Sequence, residues 1–351
     1  MKNNNHRFHQ YSPFHRLGST PLRRTVVILL LLMGTYLLIP RLAGLAETLE
    51  LIPRANAPYL LAALVLQIVS VLVGAYLVHQ MLPAFGPAMD FVRVLHVTQA
   101  SSFASLFIPS AGLSSLAVRT RYLGENGCSV EGTFFIFALE TLGQGLAISL
   151  WVALALLFVA LKGADAPWWI ALLMTSVVLV GIAALAILLA RPHKGDWRYR
   201  LLARLNKLLT RRGQFPFPSS AWEQRLGALR QGALTLNAQR RWHLLLGSMA
   251  RVLMDMLCLQ MTLLAFRQHL ALSITIVSYG LSAILGFLST SPGGLLVTEG
   301  SLSAILANRG VALPVAVAAT LTYRLIAFWL PRLTGLISWY ILQRQSTRPL
   351  W

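Results

Sequence analysis

Apolar stretches of membrane-spanning length recur along the chain, and no other feature restricts its fold as tightly. They occupy residues 25–39 (the shortest), 58–81, 132–161, 167–190, 242–266, 270–288 and 311–342, against about 20 residues for a helix that crosses the hydrocarbon core. In lipid the backbone must satisfy its own hydrogen bonds, so a spanning segment is either a helix or a strand of a closed barrel. None of these runs alternates polar and apolar residues as a barrel strand does. The expected class is all-α: a polytopic helical membrane protein. Composition agrees, since 56% hydrophobic and 12% charged residues with a mean hydropathy of +0.65 lie outside the range of ordinary soluble domains.

The net charge of +19 would suit a nucleic-acid binder, but its placement argues against one. Residues 1–24 hold five Lys or Arg and no acid, and residues 191–241 hold twelve against Asp196 and Glu223. Both segments flank apolar runs, where the positive-inside bias acts. The expected organisation is a basic cytoplasmic tail (1–24), a first transmembrane half (25–190), a basic cytoplasmic loop (191–241), a second transmembrane half (242–343) and a cytoplasmic tail (344–351). In a bacterial cell this is a protein of the plasma membrane. Within the loop, "WRYRLLARLNKLLTRR" (197–212) sets leucines on one face and arginines on the other. It suits either an interfacial helix on anionic lipid or a solvated connector that only fixes topology. The basic N-terminus followed by the run 25–39 also resembles a signal peptide, although an uncleaved first helix is expected.

Cys128 and Cys258 are far apart in sequence, and the eight histidines have no metal-binding spacing. No disulfide framework, metal site or P-loop is read from the chain, so neither cofactor nor direct ATP coupling is expected.

Two polar interruptions break the apolar pattern: "IPSAGLSSLAVR" (108–119) and "STSPGGLLVTEG" (289–300). With Pro109 aligned on Pro292, Gly127 and Gly310 each follow 18 residues later, both closing a short polar turn before a long apolar helix. Glu140 then lies 31 residues after its proline and Arg324 32 after its own. Proline removes a backbone donor, and Gly112, Gly293 and Gly294 permit a sharp turn. Counted from a cytoplasmic N-terminus with both broken segments re-entrant, the spans bring every strongly basic segment to the cytoplasm, and the two broken segments then enter from opposite sides. The expectation is a pair of inverted half-repeats, each with a re-entrant turn, around a central site. Two ordinary kinked helices would account for the prolines but not for their matched positions.

Ionisable residues at membrane depth cost on the order of 2.5–3.5 kcal/mol each and normally face a bundle interior with a partner. The first half offers Arg119 then Glu140, and the second Glu299 then Arg324. These four suit two buried ion pairs or one four-membered cluster lining a cavity. Arg251 and Asp255, four residues apart on one helix, can neutralise each other locally as a structural pair, or else belong to a polar pathway.

"SPGGLLVTEG" with the downstream "GVALPVAVAATLTYRLIAFWLPRLTGL" (310–336) resembles the membrane region of lysylphosphatidylglycerol synthases and their stand-alone flippase-like relatives, which include a hopanoid-associated branch. The matching residues are Pro292, Gly293, Gly294, Leu295, Glu299, Arg324, Phe328, Trp329 and Pro331, with Pro109, Gly112, Arg119 and Glu140 in the first half. The chain departs from the pattern at Leu296, where relatives usually carry glycine. Further departures are Ser114 and Ser115, where an acid commonly precedes the arginine, and Thr141, where an arginine is common. No aminoacyl-transfer domain follows residue 351, so the resemblance implies lipid translocation without synthase activity. It implies a head-group site in which Arg119 and Arg324 hold a phosphate or other anion while Glu140 and Glu299 position them. The partners expected are membrane lipids, including anionic lipid at the cytoplasmic face. Two alternatives stand beside this: a non-transporting partner of a lipid-modifying enzyme, and a membrane-embedded transferase with Glu140 or Glu299 as base.

Overall fold

The computed structural model describes residues 46–86, 88–106, 113–162, 172, 175–176, 179–180, 238–289 and 294–345. The tails 1–24 and 346–351, the run 25–39, most of 167–190, the basic loop with its 197–212 segment, and the turn residues Pro109, Gly112, Pro292 and Gly293 lie outside them. The described residues form helices and turns without any strand, as the length and continuity of the apolar runs require.

After the short helix Ala46–Leu51, the first half contains α1 (Ala57–Met81), α2 (Phe91–Ala104), α3 (Leu113–Gly124) and α4 (Val130–Leu161). The second contains α5 (Ala238–Ala265), α6 (Leu272–Leu288), α7 (Val297–Asn308), α8 (Leu313–Arg324) and α9 (Leu330–Gln345), the last two joined by a π-helical turn at Leu325–Trp329. Local chemistry sets the boundaries. Pro58 sits in the first turn of α1 and Pro314 in that of α8, where a missing N–H costs nothing. Asp90 caps α2 by accepting from Val92 N at 3.0 Å, and Ser129 caps α4 by accepting from Gly132 N at 3.0 Å, each satisfying a donor that the helix leaves free.

Among the described residues, four helices are long and apolar enough to cross a membrane: Ala57–Ala84, Val130–Leu161, Trp242–Ala265 and Leu313–Gln345. Their polarity is arranged for lipid. Leu61, Leu161, Phe158 and Phe287 are exposed on the outside, whereas Gln67, Ser70, Gln99, Ser101, Arg119 and Arg324 are buried.

The element order recurs. In the first half α2 leads through a break to the 12-residue α3, a turn closed by Gly127 at φ +85° and the 32-residue α4. In the second, α6 leads through a break to the 12-residue α7, a turn closed by Gly310 at φ +91° and the 33-residue helix formed by α8, the π turn and α9. Contacts between the halves are reciprocal, α2 packing on α9 and α6 on α4, while α1 packs on α5.

The helices α1 and α5 that open the two halves run antiparallel. Leu77 packs on Gly247, Gly74 on Arg251, the Ser70 hydroxyl donates to Asp255 at 2.6 Å, and Asn56 N donates to Ala265 O at 2.9 Å. Helices α2 and α9 are also antiparallel. His96 Nδ1 lies 3.1 Å from Ser338 Oγ, Gln99 Nε2 donates to Thr334 Oγ1 at 2.8 Å, and Gly335 sits against the Gln99 backbone. Lipid supplies no hydrophobic force between helices, so small residues and interhelical hydrogen bonds of this kind hold such pairs together.

The second break ends in strained backbone. Gly294 has φ +69°, and a Cβ there would lie 2.8 Å from Thr298 Oγ1 and 3.2 Å from the Gly286 backbone. Leu296 follows at φ +70° and ψ −43°, a conformation that strongly favours glycine. Leu296 stands where the resemblance implies glycine, and its backbone takes a geometry that suits glycine.

Candidate functional site

In each half an ion pair ties the short helix after the break to the long helix that follows. Arg119 of α3 donates through Nη1 to Glu140 Oε2 of α4 at 2.5 Å, and through Nε to Ser101 Oγ of α2 at 3.1 Å. Arg324, the last residue of α8, donates through Nε to Glu299 Oε1 of α7 at 2.6 Å. All four side chains are at most 12% exposed. Charges taken out of water are expensive unless paired with good geometry, and these contacts are short and direct. Of the two arrangements open to the sequence, the structure forms two separate pairs.

A third arginine joins the first pair from the other half. Arg251 of α5 donates through Nη1 to Glu140 Oε1 at 2.8 Å, so each oxygen of Glu140 receives one guanidinium. The local Arg251–Asp255 pair expected from i,i+4 spacing is therefore not the contact formed. Asp255 instead accepts from Ser70 Oγ of α1 at 2.6 Å. The physical reason is that one carboxylate placed between two helices can bond two arginines at once, while Asp255 finds a donor across the close α1–α5 contact. Glu140 is followed by Thr141, where the resemblance implies an arginine, and Arg251 supplies a second cation from elsewhere in the fold.

These groups surround a cavity of about 260 Å³ between the halves. Arg119, Glu140, Arg251, Asp255 and Arg324 line it. Glu299 does not, and grips Arg324 from outside the wall. Polar side chains from α1, α2 and α4, such as Gln67, Gln99 and Gln144, complete the lining. Gly74 lets the Arg251 guanidinium lie against α1, since a Cβ there would sit 2.9 Å from Arg251 Cζ.

One lining residue escaped the sequence reading. Arg332 of α9 faces the cavity, with its guanidinium carbon 3.4 Å from the centroid of the Phe328 ring, on which Arg324 also stacks at 3.9 Å. In a regular α-helix the spacing i, i+4, i+8 of Arg324, Phe328 and Arg332 keeps the three on neighbouring faces with a drift of about 40° per step. That signal was present in the sequence, inside a segment read only for its proline and aromatic residues. The π turn takes up about one residue and so brings Arg332 back over Arg324: Leu330 N bonds Leu325 O, five residues back, and Pro331 offers no N–H to restore the regular ladder.

A comparison with family models matches residues 25–335 to the lysylphosphatidylglycerol synthase TM region. The chain belongs to this family. The match spans both ion pairs, the cavity and both breaks. Among curated relatives, the chain is similar to the UPF0104 membrane protein PH1989 of Pyrococcus horikoshii, at 26% identity over 322 residues, covering 88% of this chain and 94% of that protein. Family and apolar helices together establish an integral membrane protein.

Proposed function

We propose that this protein is a lipid flippase-like transporter that moves a polar-headed lipid, of the phospholipid or polyprenyl/hopanoid type, between leaflets. The observation that carries this reading is the charged cavity built by both halves inside a bundle whose outer surface is apolar. A lipid crossing a bilayer needs a polar route for its head beside an apolar face for its tails, because a charged group in hydrocarbon is costly. Arg119 and Arg324 are assigned to the phosphate or other anionic part of the head group, since a guanidinium offers planar donors that match phosphate. Glu140 and Glu299 orient them. Supporting an inverted repeat are the recurring element order, the reciprocal contacts and the antiparallel course of α1 and α5. Rocking of one half against the other would open the cavity to each leaflet in turn. The assigned location is the bacterial inner membrane with both termini cytoplasmic.

The reading is tested in proteoliposomes with a fluorescent lipid whose outer-leaflet copies are chemically quenched. Wild-type protein should expose inner-leaflet lipid to the quencher, and Arg324→Ala and Glu299→Ala should each slow this by roughly tenfold or more, as loss of a charged contact predicts. Unchanged rates in both variants would refute the site assignment.

A further inference from the structure

The charges around the cavity do not balance. Arg119, Arg251, Arg324 and Arg332 line it. The carboxylates joined to this set are Glu140, which bonds Arg119 and Arg251, Glu299, which bonds Arg324, and Asp255 on the cavity wall. Four cations thus face three anions among the described residues, and the surplus falls on Arg332.

Arg332 has no carboxylate among the described residues. Its Nη1 donates to the Phe328 carbonyl oxygen at 2.9 Å, and its buried Nε has no hydrogen-bond partner. The face of Phe328 is its other neighbour, shared with Arg324. With guanidinium carbons 3.4 and 3.9 Å from one ring centroid, the two groups are at most about 7 Å apart, a span that one phosphate at the ring edge bridges with an oxygen to each. A surplus cation away from bulk water is costly, and like charges repel more strongly there than in water. An anion between them relieves both costs.

We infer that Arg332 and Arg324, set on Phe328, form the recognition site for a phosphate diester, and that the surplus charge selects a lipid whose head group carries one net negative charge over a zwitterionic one. This rests on the lipid-translocating reading above and gives it a substrate class. A zwitterionic head brings its own cation into a cavity that already has an excess, whereas a monoanionic head neutralises it. Arg332 adds what Arg324 lacks, since the Nε of Arg324 is held by Glu299 and that of Arg332 is held by no carboxylate.

The test uses the full chain, first for binding and then for transport. Purified wild-type protein is titrated with phosphatidylglycerol, phosphatidylcholine and inorganic phosphate, and thermal stabilisation is followed. Phosphatidylglycerol should bind at least about tenfold more tightly than phosphatidylcholine, the difference expected for one charge-assisted contact. Arg332→Gln should abolish that preference, and Arg332→Lys should restore it in part, because lysine keeps the charge and loses the fork. Equal binding of the two lipids by wild type overturns the inference without recourse to a variant. So does a folded Arg332→Gln that keeps the wild-type preference. Displacement of phosphatidylglycerol by equimolar inorganic phosphate would make this a free-phosphate site and overturn the lipid assignment. Transport is read separately in proteoliposomes: selective binding without faster phosphatidylglycerol movement than in protein-free vesicles defeats the transporter reading and leaves the site standing. Movement of both lipids at equal rates defeats the selectivity and leaves the transporter.

Discussion

Glu140 and Glu299 occupy equivalent places in the two halves but do unequal work. Glu140 neutralises two arginines, one from each half, whereas Glu299 holds Arg324 and keeps its Oε2 without a partner. Removing one member of a buried ion pair leaves an uncompensated charge at a cost of about 3 kcal/mol or more. Glu140→Gln strands two cations and Glu299→Gln one, so the first should lower the unfolding temperature in detergent more than the second. Adding Arg119→Gln to Glu140→Gln should recover part of that loss, because it withdraws a charge left without its partner. Thermal unfolding of the three variants checks the order.

Among the elements, the π turn at Leu325–Trp329 bears most directly on the site. It lies between Arg324 and Arg332 and contains Phe328. A π turn inserts about one extra residue into the helix, which shifts everything beyond it by roughly 100° around the axis. Pro331 stabilises this phase by denying the helix a donor. Pro331→Ala is expected to let the segment relax towards regular α-helix and turn Arg332 away from Arg324. The variant should fold, since alanine suits a helix interior better than proline, yet move anionic lipid several-fold more slowly than wild type. A rate equal to wild type would show that the phase of α9 is immaterial.

For the molecule as a whole, the contact between α1 and α5 is where relative motion of the halves would be felt. A Cβ at Gly247 would meet the Leu77 side chain, 3.3 Å from its Cγ, so cysteines at these two positions face each other across the seam, near the Cβ separation of about 3.5–4.5 Å that a disulfide needs. In a background where Cys128 and Cys258 are replaced by serine, Leu77→Cys with Gly247→Cys should stop lipid movement on oxidation and regain it on reduction. Full transport by the oxidised protein would rule out rocking across this seam.

Legibility followed the range of the interactions involved. The all-α class, the membrane-length helices at 57–84, 130–161, 242–265 and 313–345, and the glycine turns at Gly127 and Gly310 were readable because they depend on neighbouring residues: apolar length, N-terminal caps and backbone freedom. The candidacy of Arg119, Glu140, Glu299 and Arg324 was readable for a related reason, since a charge within an apolar run needs a partner whatever the fold. Which partner it takes was not. Arg251 has Asp255 one turn away in sequence but bonds Glu140, 111 positions distant, because only tertiary packing brings a carboxylate with two free oxygens between two helices. Arg332 passed unnoticed until the fold placed it on the cavity wall without a counter-charge among the described residues. Consecutive residues determined that this chain enters a membrane as helices and buries charge there, and the packing of two halves decided how those charges share a cavity and where one positive charge is left over.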